Sequence, residues 1–446
     1  MTQPRSLLLG AAGIALILFL VGFAAGNQPL WQAALPTAAV SFAIGVGGVP
    51  TLAGYQFTAW IIAAVCAAMC YPHFFLQLGP FDFGVLQVPT IDLRNKWVIL
   101  VIVQLVMFGM GTKMSFHDFA GVAKMPYPVF IGIALQFLVM PLTGYLLTKV
   151  FAFPPEIAAG VILIGSCSSG LASNVMCYIA GADLALSVTL TAVATLLAPL
   201  LTPFWMKMLA GELVEVHFTA MMAEIFKIVL LPIGAALLHD LLNHASPTGK
   251  RIVFTSAIAA IAYLVYLFLG GLSRVPNLLS LPILEGSILL AAAVLAGVTF
   301  HLAATKFSWV EKRVHVVSMF GIIYFTAVTT AAGRDNLLNV GLTLFLAAAI
   351  HNLVGWVLGY GLSLAAGLER KKAITVGFEV AMQNGGMASG LAGMMGKLGT
   401  VGLAAAVFSP WMNVSGSIIA NLIRRYAPIE DDKLEGSAPQ VYESTM

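Results

Sequence analysis

About fourteen runs of roughly 17 to 25 apolar residues, separated by short polar connections, decide what this chain can become, because a segment of that length and character spans a lipid bilayer. The runs cover residues 7–25, 31–48, 57–72, 97–111, 128–151, 157–180, 184–206, 218–239, 252–272, 287–304, 314–333, 341–365, 373–398 and 401–423. Only 9% of the 446 residues are charged and 60% are hydrophobic. A soluble domain carries about a quarter charged residues, so the fold class is an all-α polytopic membrane protein and the lipid bilayer is its first partner. The net charge of +3 is scattered over the connections, and no nucleic acid is expected to bind. Cys66, Cys70, Cys167 and Cys177 fall inside apolar runs and read as small buried thiols rather than disulfides or metal ligands. The first run follows Arg5 and is long for a signal peptide, so it reads as a retained helix.

An even number of spans places both termini on one side. Counted from an inside N-terminus, the inner connections hold Lys113, Lys124, Lys250, Arg251, Lys306, Lys312, Arg313, Arg370, Lys371, Lys372, Arg424 and Arg425. The outer ones are poorer, with Arg94, Lys96, Lys149, Lys207, Arg274 and Arg334. The positive-inside rule then predicts a protein of the cell (inner) membrane with both ends cytoplasmic. Residues 76–96, with Gly79, Pro80 and Pro89, read as an external loop, and residues 426–446, with Glu430, Asp431 and Asp432, as a disordered acidic tail.

One run differs from the rest. Residues 376–390 contain a carboxylate, Glu379, together with Gln383, Asn384, Gly385, Gly386 and Ser389. A carboxylate at membrane depth is costly and marks a functional site, while a helix interrupted there is tolerated only where protein or a water-filled cavity receives its backbone groups. The stretch from Ser168 to Asn174 overlays Asn384 to Gly390 without a gap, matching Gly170, Ala172 and Ser173 to Gly386, Ala388 and Ser389. Each is followed by a helix with a small-residue–proline break, Ala198-Pro199 and Ser409-Pro410. Small-residue runs also serve helix packing. Paired interruptions with a carboxylate, however, point to a transporter site built from crossing discontinuous helices, the two halves inverted in the membrane.

Unwound carbonyls, Glu379, Ser173, Asn174, Ser187, Thr191, Gln136 and Gln383 offer oxygen ligands to a hard monovalent cation. The helix starts facing them present unpaired N–H groups suited to an anion. The chemistry is that of a cation-coupled carrier for an organic anion. No His-Glu-x-x-His, Gly-x-Ser-x-Gly or Gly-x-x-x-x-Gly-Lys motif occurs, so the chain does not read as an enzyme. A receptor or sensor binding the same ligand without transport, and a carrier coupled to protons through Glu379, are the competing readings.

The run Gly165-Ser166-Cys167-Ser168-Ser169-Gly170-Leu171-Ala172-Ser173-Asn174-Val175-Met176 resembles the bile acid:sodium symporter family. So do Ala185-Leu186-Ser187-Val188 with Thr191, Glu379-Val380-Ala381-Met382-Gln383-Asn384, Met107-Phe108-Gly109-Met110-Gly111 and His351-Asn352. The resemblance implies ten helices in an inverted repeat, with a core domain, a panel domain and two pairs of crossing broken helices, here 157–180 with 184–206 and 373–398 with 401–423. It implies one Na+ held by Ser173, Asn174, Ser187, Thr191 and Glu379, and a second by Gln136, Glu379, Gln383 and the backbone oxygens of Val380 and Met382. Ser168, Ser169, Leu171, Asn384, Met412 and Asn413 would line the substrate cavity. Members commonly have Pro-Gly-Gly-Thr where this chain has Ser168-Ser169-Gly170-Leu171, and a His where it has Met412, so the expected substrate is not a bile acid. A small organic anion of the pantoate or pyruvate kind, carried by sodium symport, is the expectation for a bacterial member.

The division that follows is an extra helix pair in 1–56, panel in 57–126, core in 127–206, panel in 207–340 with a second extra pair in 252–304, and core in 341–425. Both extra pairs are expected at the periphery on the panel side, as a homodimer or scaffold surface. Glu285 and His301 are expected to snorkel from helix ends, Glu224 to pair with Lys227, and His351 to be a hydrogen-bonded packing residue.

Overall fold

A computed structural model describes residues 3–49, 55–82, 87–88, 90–269 and 281–427. The expected disordered tail lies, from residue 428 onward, outside the described residues. Helices α1 (Gln3–Ala24) and α2 (Gln28–Val46) form a hairpin, and α2 packs on α3 (Gln56–Cys70). A short α4 (Pro72–Leu76) opens the loop expected outside. That loop is not plain coil: β1 (Gln77–Leu78) pairs antiparallel with β4 (Ile91–Asp92), and β2 (Phe81–Asp82) with β3 (Gln87–Val88). Then follow α5 (Lys96–Gly111) and, bent from it by 58°, α6 (Phe116–Lys124).

Next come α7 (Pro126–Phe151), α8 (Pro155–Ser166), α9 (Leu171–Ala180) and α10 (Leu184–Trp205), the last closing in a π turn, Met206–Ala210. Helix α11 (Phe218–Ile225) passes through a second π turn, Phe226–Leu230, into α12 (Leu231–His244). Helices α13 (Pro247–Phe268) and α14 (Leu281–Lys306) follow, and α14 packs on α12. The chain ends with α15 (Ser308–Ala332), α16 (Arg334–Ala365), α17 (Arg370–Ala381), α18 (Gly385–Met394) and α19 (Gly402–Tyr426).

Among the described residues ten helices are long and apolar enough to cross a membrane, or eleven if the bent α5–α6 pair is one span. The remaining apolar runs are the short α3 and the two interrupted segments, α8 with α9 and α17 with α18. The interruptions sit where Ser, Gly, Gln and Asn replace helix-supporting apolar residues. Helices α7 to α10 and α16 to α19 pack into one body around them.

Helices α10 and α19 depart from expectation. Both run unbroken through their prolines, Pro199 and Pro203 in one and Pro410 in the other. A proline in a membrane helix is accommodated when hydroxyls and neighbours restore the lost bonding. Near these prolines Thr195 Oγ1 donates to the Thr191 carbonyl at 2.7 Å and Ser409 Oγ to the Ala405 carbonyl at 2.7 Å, neither being a carbonyl that a proline strips of its N–H partner, those of Thr195, Pro199 and Ala406. Each expected pair of broken helices therefore has one broken member and one continuous member.

The charged side chains of α14 also differ from expectation. Glu285 of α14 does not snorkel free but lies 2.9 Å from Lys227 Nζ in the second π turn, which Glu224 approaches to 3.7 Å as expected. Lys96 Nζ reaches the same Glu224 carboxylate at 3.6 Å. His301 Nδ1 lies 3.3 Å from His239 Nδ1 on α12. Both contacts tie α14 to the α11–α12 helix.

Candidate functional site

The two interruptions meet each other. Ser169 and Gln383 form an antiparallel bridge, flanked by two backbone bonds: Asn384 N–H to the Ser168 carbonyl at 2.8 Å and Gly170 N–H to the Met382 carbonyl at 3.3 Å. Exchanging Ser168 with Met382 and Gly170 with Asn384 turns one bond into the other, so a local two-fold passes through the Ser169–Gln383 bridge. Gly170 and Asn384 are counterparts in role as well, being the N-caps of α9 and α18. This register differs by two residues from the overlay of Ser168 on Asn384. Matches among Gly, Ala and Ser fixed that overlay, and such residues recur at helical spacing for packing reasons alone.

A break leaves carbonyls without intrahelical partners. Four of them are met by side chains. Thr202 Oγ1 donates to the Ser166 carbonyl at 2.7 Å, and Gln136 Nε2 to that of Cys167 at 3.1 Å. In the other half, Gln383 Nε2 donates to the Val380 carbonyl at 2.7 Å and Asn352 Nδ2 to that of Ala381 at 2.9 Å. Ser415 Oγ of α19 donates to Asn352 Oδ1 at 2.7 Å and so fixes the amide. Asn352 was legible only as part of a family-like dipeptide; its signal is an amide within the apolar run of α16. Its neighbour His351 is buried, its Nε2 2.9 Å from the Met140 carbonyl, and its ring fits beside Gly144 and Gly165 as a packing residue.

Glu379, 2% exposed, projects from the last turn of α17 into a cluster of oxygens. Ser173 Oγ and Ser187 Oγ each lie 2.6 Å from Glu379 Oε1, and Thr191 Oγ1 lies 2.9 Å from Oε2. Asn174 Oδ1 is 2.7 Å from Ser187 Oγ and 3.1 Å from Thr191 Oγ1, while Ser173 Oγ is also 2.7 Å from the Gly170 carbonyl. All five side chains expected around the first cation are thus assembled from α9, α10 and α17. Each hydroxyl has one hydrogen and two acceptors within bonding distance. Oxygen lone pairs therefore outnumber hydrogens, and a cation relieves that imbalance.

Of the second set, Gln136 and Gln383 meet directly, with Gln136 Nε2 2.9 Å from Gln383 Oε1. Gln136 Oε1 is buried with no hydrogen-bond partner among the described residues, an acceptor suited to a cation. The Val380 carbonyl joins this group through Gln383, and the Met382 carbonyl is engaged by Gly170 N–H. Among the described residues no hydrogen bond joins Glu379 to Gln136 or Gln383, while Ser169 of the bridge reaches the Glu379 cluster, its Oγ 3.5 Å from Thr191 Oγ1.

Ser168, Ser169 and Asn384 are buried side by side at the crossing, and Thr195 Oγ1, unforeseen from sequence, lies 3.4 Å from Ser168 Oγ. Leu171 opens α9 and is half-buried. Met412 is buried on α19, whereas the half-buried Asn413 donates to the Ser409 carbonyl of its own helix at 3.0 Å. Among the described residues Glu379 and Lys227 are the only buried carboxylate and ammonium groups.

The Sodium Bile acid symporter family model matches residues 100–281. The uncharacterized sodium-dependent transporter YocS of Bacillus subtilis is 28% identical over 372 residues, 82% of this chain and 90% of that protein. The probable sodium/metabolite cotransporter BASS1, chloroplastic, of Arabidopsis thaliana is 26% identical over 388 residues, 86% of this chain and 81% of its own. Among solved structures, the sodium proton antiporter MjNhaP1 of Methanocaldococcus jannaschii aligns over 89% of this chain and 98% of its own with a TM-score of 0.47 and 10% identity, too distant to carry an argument. The chain is thus similar to the sodium bile acid symporter family over residues 100–281, and to sodium-dependent transporters over more than four-fifths of its length.

Proposed function

We propose that the protein is a sodium-coupled symporter that imports a small organic anion, a monocarboxylate of the pantoate or pyruvate kind, by alternating access. The observation that carries the sodium half is the surplus of oxygen lone pairs around Glu379, where Ser173, Ser187 and Thr191 each face two acceptors with one hydrogen. A Na+ ion bound there by Ser173, Asn174, Ser187, Thr191 and Glu379 turns crowding among oxygens into coordination. The Oε1 of Gln136, without a hydrogen-bond partner among the described residues, supports a second Na+ site shared by Gln136, Glu379, Gln383 and the Val380 and Met382 carbonyls. The anionic half rests on the helix starts at Leu171 and Gly385, whose N–H groups flank the Ser168–Asn384 contact.

The body of α7 to α10 and α16 to α19 is the proposed core domain, which carries both cations and the substrate. Helices α3, α5, α11, α12 and α15 form the proposed panel against which it moves. The pairs α1–α2 and α13–α14 lie outside that arrangement, attached through α3 and α12, and supply a scaffold or dimer surface. The protein is placed in the cell membrane with both termini cytoplasmic, in keeping with the basic residues of the inner connections.

Uptake of labelled pyruvate and pantoate into proteoliposomes, with and without an inward sodium gradient, tests this reading. Sodium-driven accumulation of either is the expected result. Sodium-independent uptake driven by a proton gradient would assign Glu379 to protons, and binding without uptake would make the protein a receptor.

A further inference from the structure

Two methionine sulfurs occupy hydrogen-bond positions at the crossing that a stronger acceptor would fill better. Asn384 Nδ2 points at Met110 Sδ of α5 at 3.6 Å, and Ser168 Oγ at Met387 Sδ of α18 at 3.9 Å. The two donors belong to residues joined by the bond from Asn384 N–H to the Ser168 carbonyl, so each thioether meets one of two adjoining residues. Asn384 is otherwise committed, its Oδ1 accepting from Met387 N–H at 2.9 Å as the cap of α18. Ser168, Asn384, Met110 and Met387 are all buried. Helix α5 is pressed close here: a Cβ added at Gly386 would lie 3.3 Å from Val106 Cγ1 and 3.4 Å from Met107 Cε. A thioether is a weak acceptor and an adaptable side chain, whereas a carboxylate makes short, charge-assisted bonds to the same donors.

We propose that Met110 and Met387 are specificity-determining residues whose sulfurs hold the place of the substrate carboxylate: on binding, the carboxylate takes Asn384 Nδ2 and Ser168 Oγ, and the displaced methionines wrap the rest of the molecule. This rests on the symport reading and narrows it. The walls that Met107, Met110 and Met387 provide are apolar, so the substrate is a monocarboxylate with an apolar body rather than a dicarboxylate or a polyhydroxylated acid. Among the described residues the buried ammonium, Lys227, is engaged by Glu285 and offers nothing to a second carboxylate. Flexible thioether walls also admit a range of chain lengths.

Two substitutions of nearly equal volume separate a place-holding sulfur from mere packing. Met110→Leu removes the acceptor and leaves the Asn384 donor unpaired in the empty protein, so the apparent KM of the transported acid falls by about threefold, the factor one neutral hydrogen bond is worth. Met110→Gln supplies a carbonyl that competes better than sulfur, so KM rises by a similar factor of about three. Met387→Leu and Met387→Gln shift KM in the same two directions through Ser168. The assay is sodium-driven proteoliposome uptake of pyruvate, butanoate, octanoate, pantoate and succinate, with sodium-induced thermal stabilisation confirming that each variant folds and binds its cation. Shifts in the same direction for Leu and Gln, no shift in either, or succinate preferred over the monocarboxylates would overturn the proposal. Failure of the unsubstituted protein to take up any of the acids would instead defeat the symport reading.

Discussion

Replacing Glu379 by glutamine removes one charge and little else, which makes it the sharpest probe of the cation site. The carboxylate is buried among hydroxyls, with no ammonium or guanidinium within ion-pairing distance among the described residues. A buried charge without a partner destabilises a protein by several kcal/mol even after relaxation. Glutamine keeps a carbonyl for Ser173 and Ser187, and its amide can donate to Thr191. In sodium-free buffer Glu379→Gln is therefore expected to melt at the same temperature as the unsubstituted protein or higher. With sodium the order reverses. Two unit charges about 4 Å apart at an effective dielectric of about 20 interact by about 4 kcal/mol, so losing the carboxylate weakens sodium binding by roughly a thousandfold. A cation present at about a hundred times its dissociation constant stabilises the folded state by about 2.7 kcal/mol, and the variant forfeits that increment. Melting in detergent, with NaCl titrated against choline chloride, reads both effects. A sodium-induced shift of unsubstituted size in Glu379→Gln, or a large loss of stability without sodium, would refute the reasoning.

Gln136→Leu removes the unpaired acceptor of the second cluster while leaving the Glu379 cluster intact, and the Hill coefficient for sodium in uptake should fall from about two to about one, two being the number of inferred sites. Asn352→Ala frees the Ala381 carbonyl, while the Ser415 hydroxyl keeps the Trp411 and Met412 carbonyls of its own helix; chemical denaturation should register a loss of about 1–3 kcal/mol, the cost of a buried unsatisfied polar group. Gly390→Leu drives a side chain into Val103 of α5, so uptake should cease while sodium still stabilises the protein, since none of the cation ligands is touched. Lys397→Ala breaks an ion pair with Glu156 that is one-third exposed, and its melting temperature should drop by no more than the equivalent of about 1 kcal/mol, less in high salt.

The spans and the site were legible for different reasons. Bilayer thickness imposes run length, so hydropathy alone locates segments such as residues 128–151 and 341–365 close to α7 and α16. Glu379 announced itself because charge is scarce at that depth, and the oxygen-bearing residues Ser173, Asn174, Ser187 and Thr191 came through the family resemblance to the places where α9 and α10 face α17. What sequence could not give was the state of helices that contain proline. Whether Pro199 or Pro410 breaks its helix depends on how neighbours across the bundle receive the freed backbone groups, and no local pattern encodes that. The pairing of Glu285 with Lys227 was hidden similarly, being a contact across 58 residues between helices whose adjacency only the packing decides. The register of the repeat was missed because its counterparts, Gly170 and Asn384, share a capping role and no side-chain chemistry.

The bridge between Ser169 and Gln383 locks the lengths of the two half-chains together. Lengthening or shortening either interruption by a single residue would slip one strand of the cross past the other, and Glu379 would turn away from Ser187 at the same moment as Gln136 lost Gln383. The crossing is the ruler against which both halves of the molecule are cut.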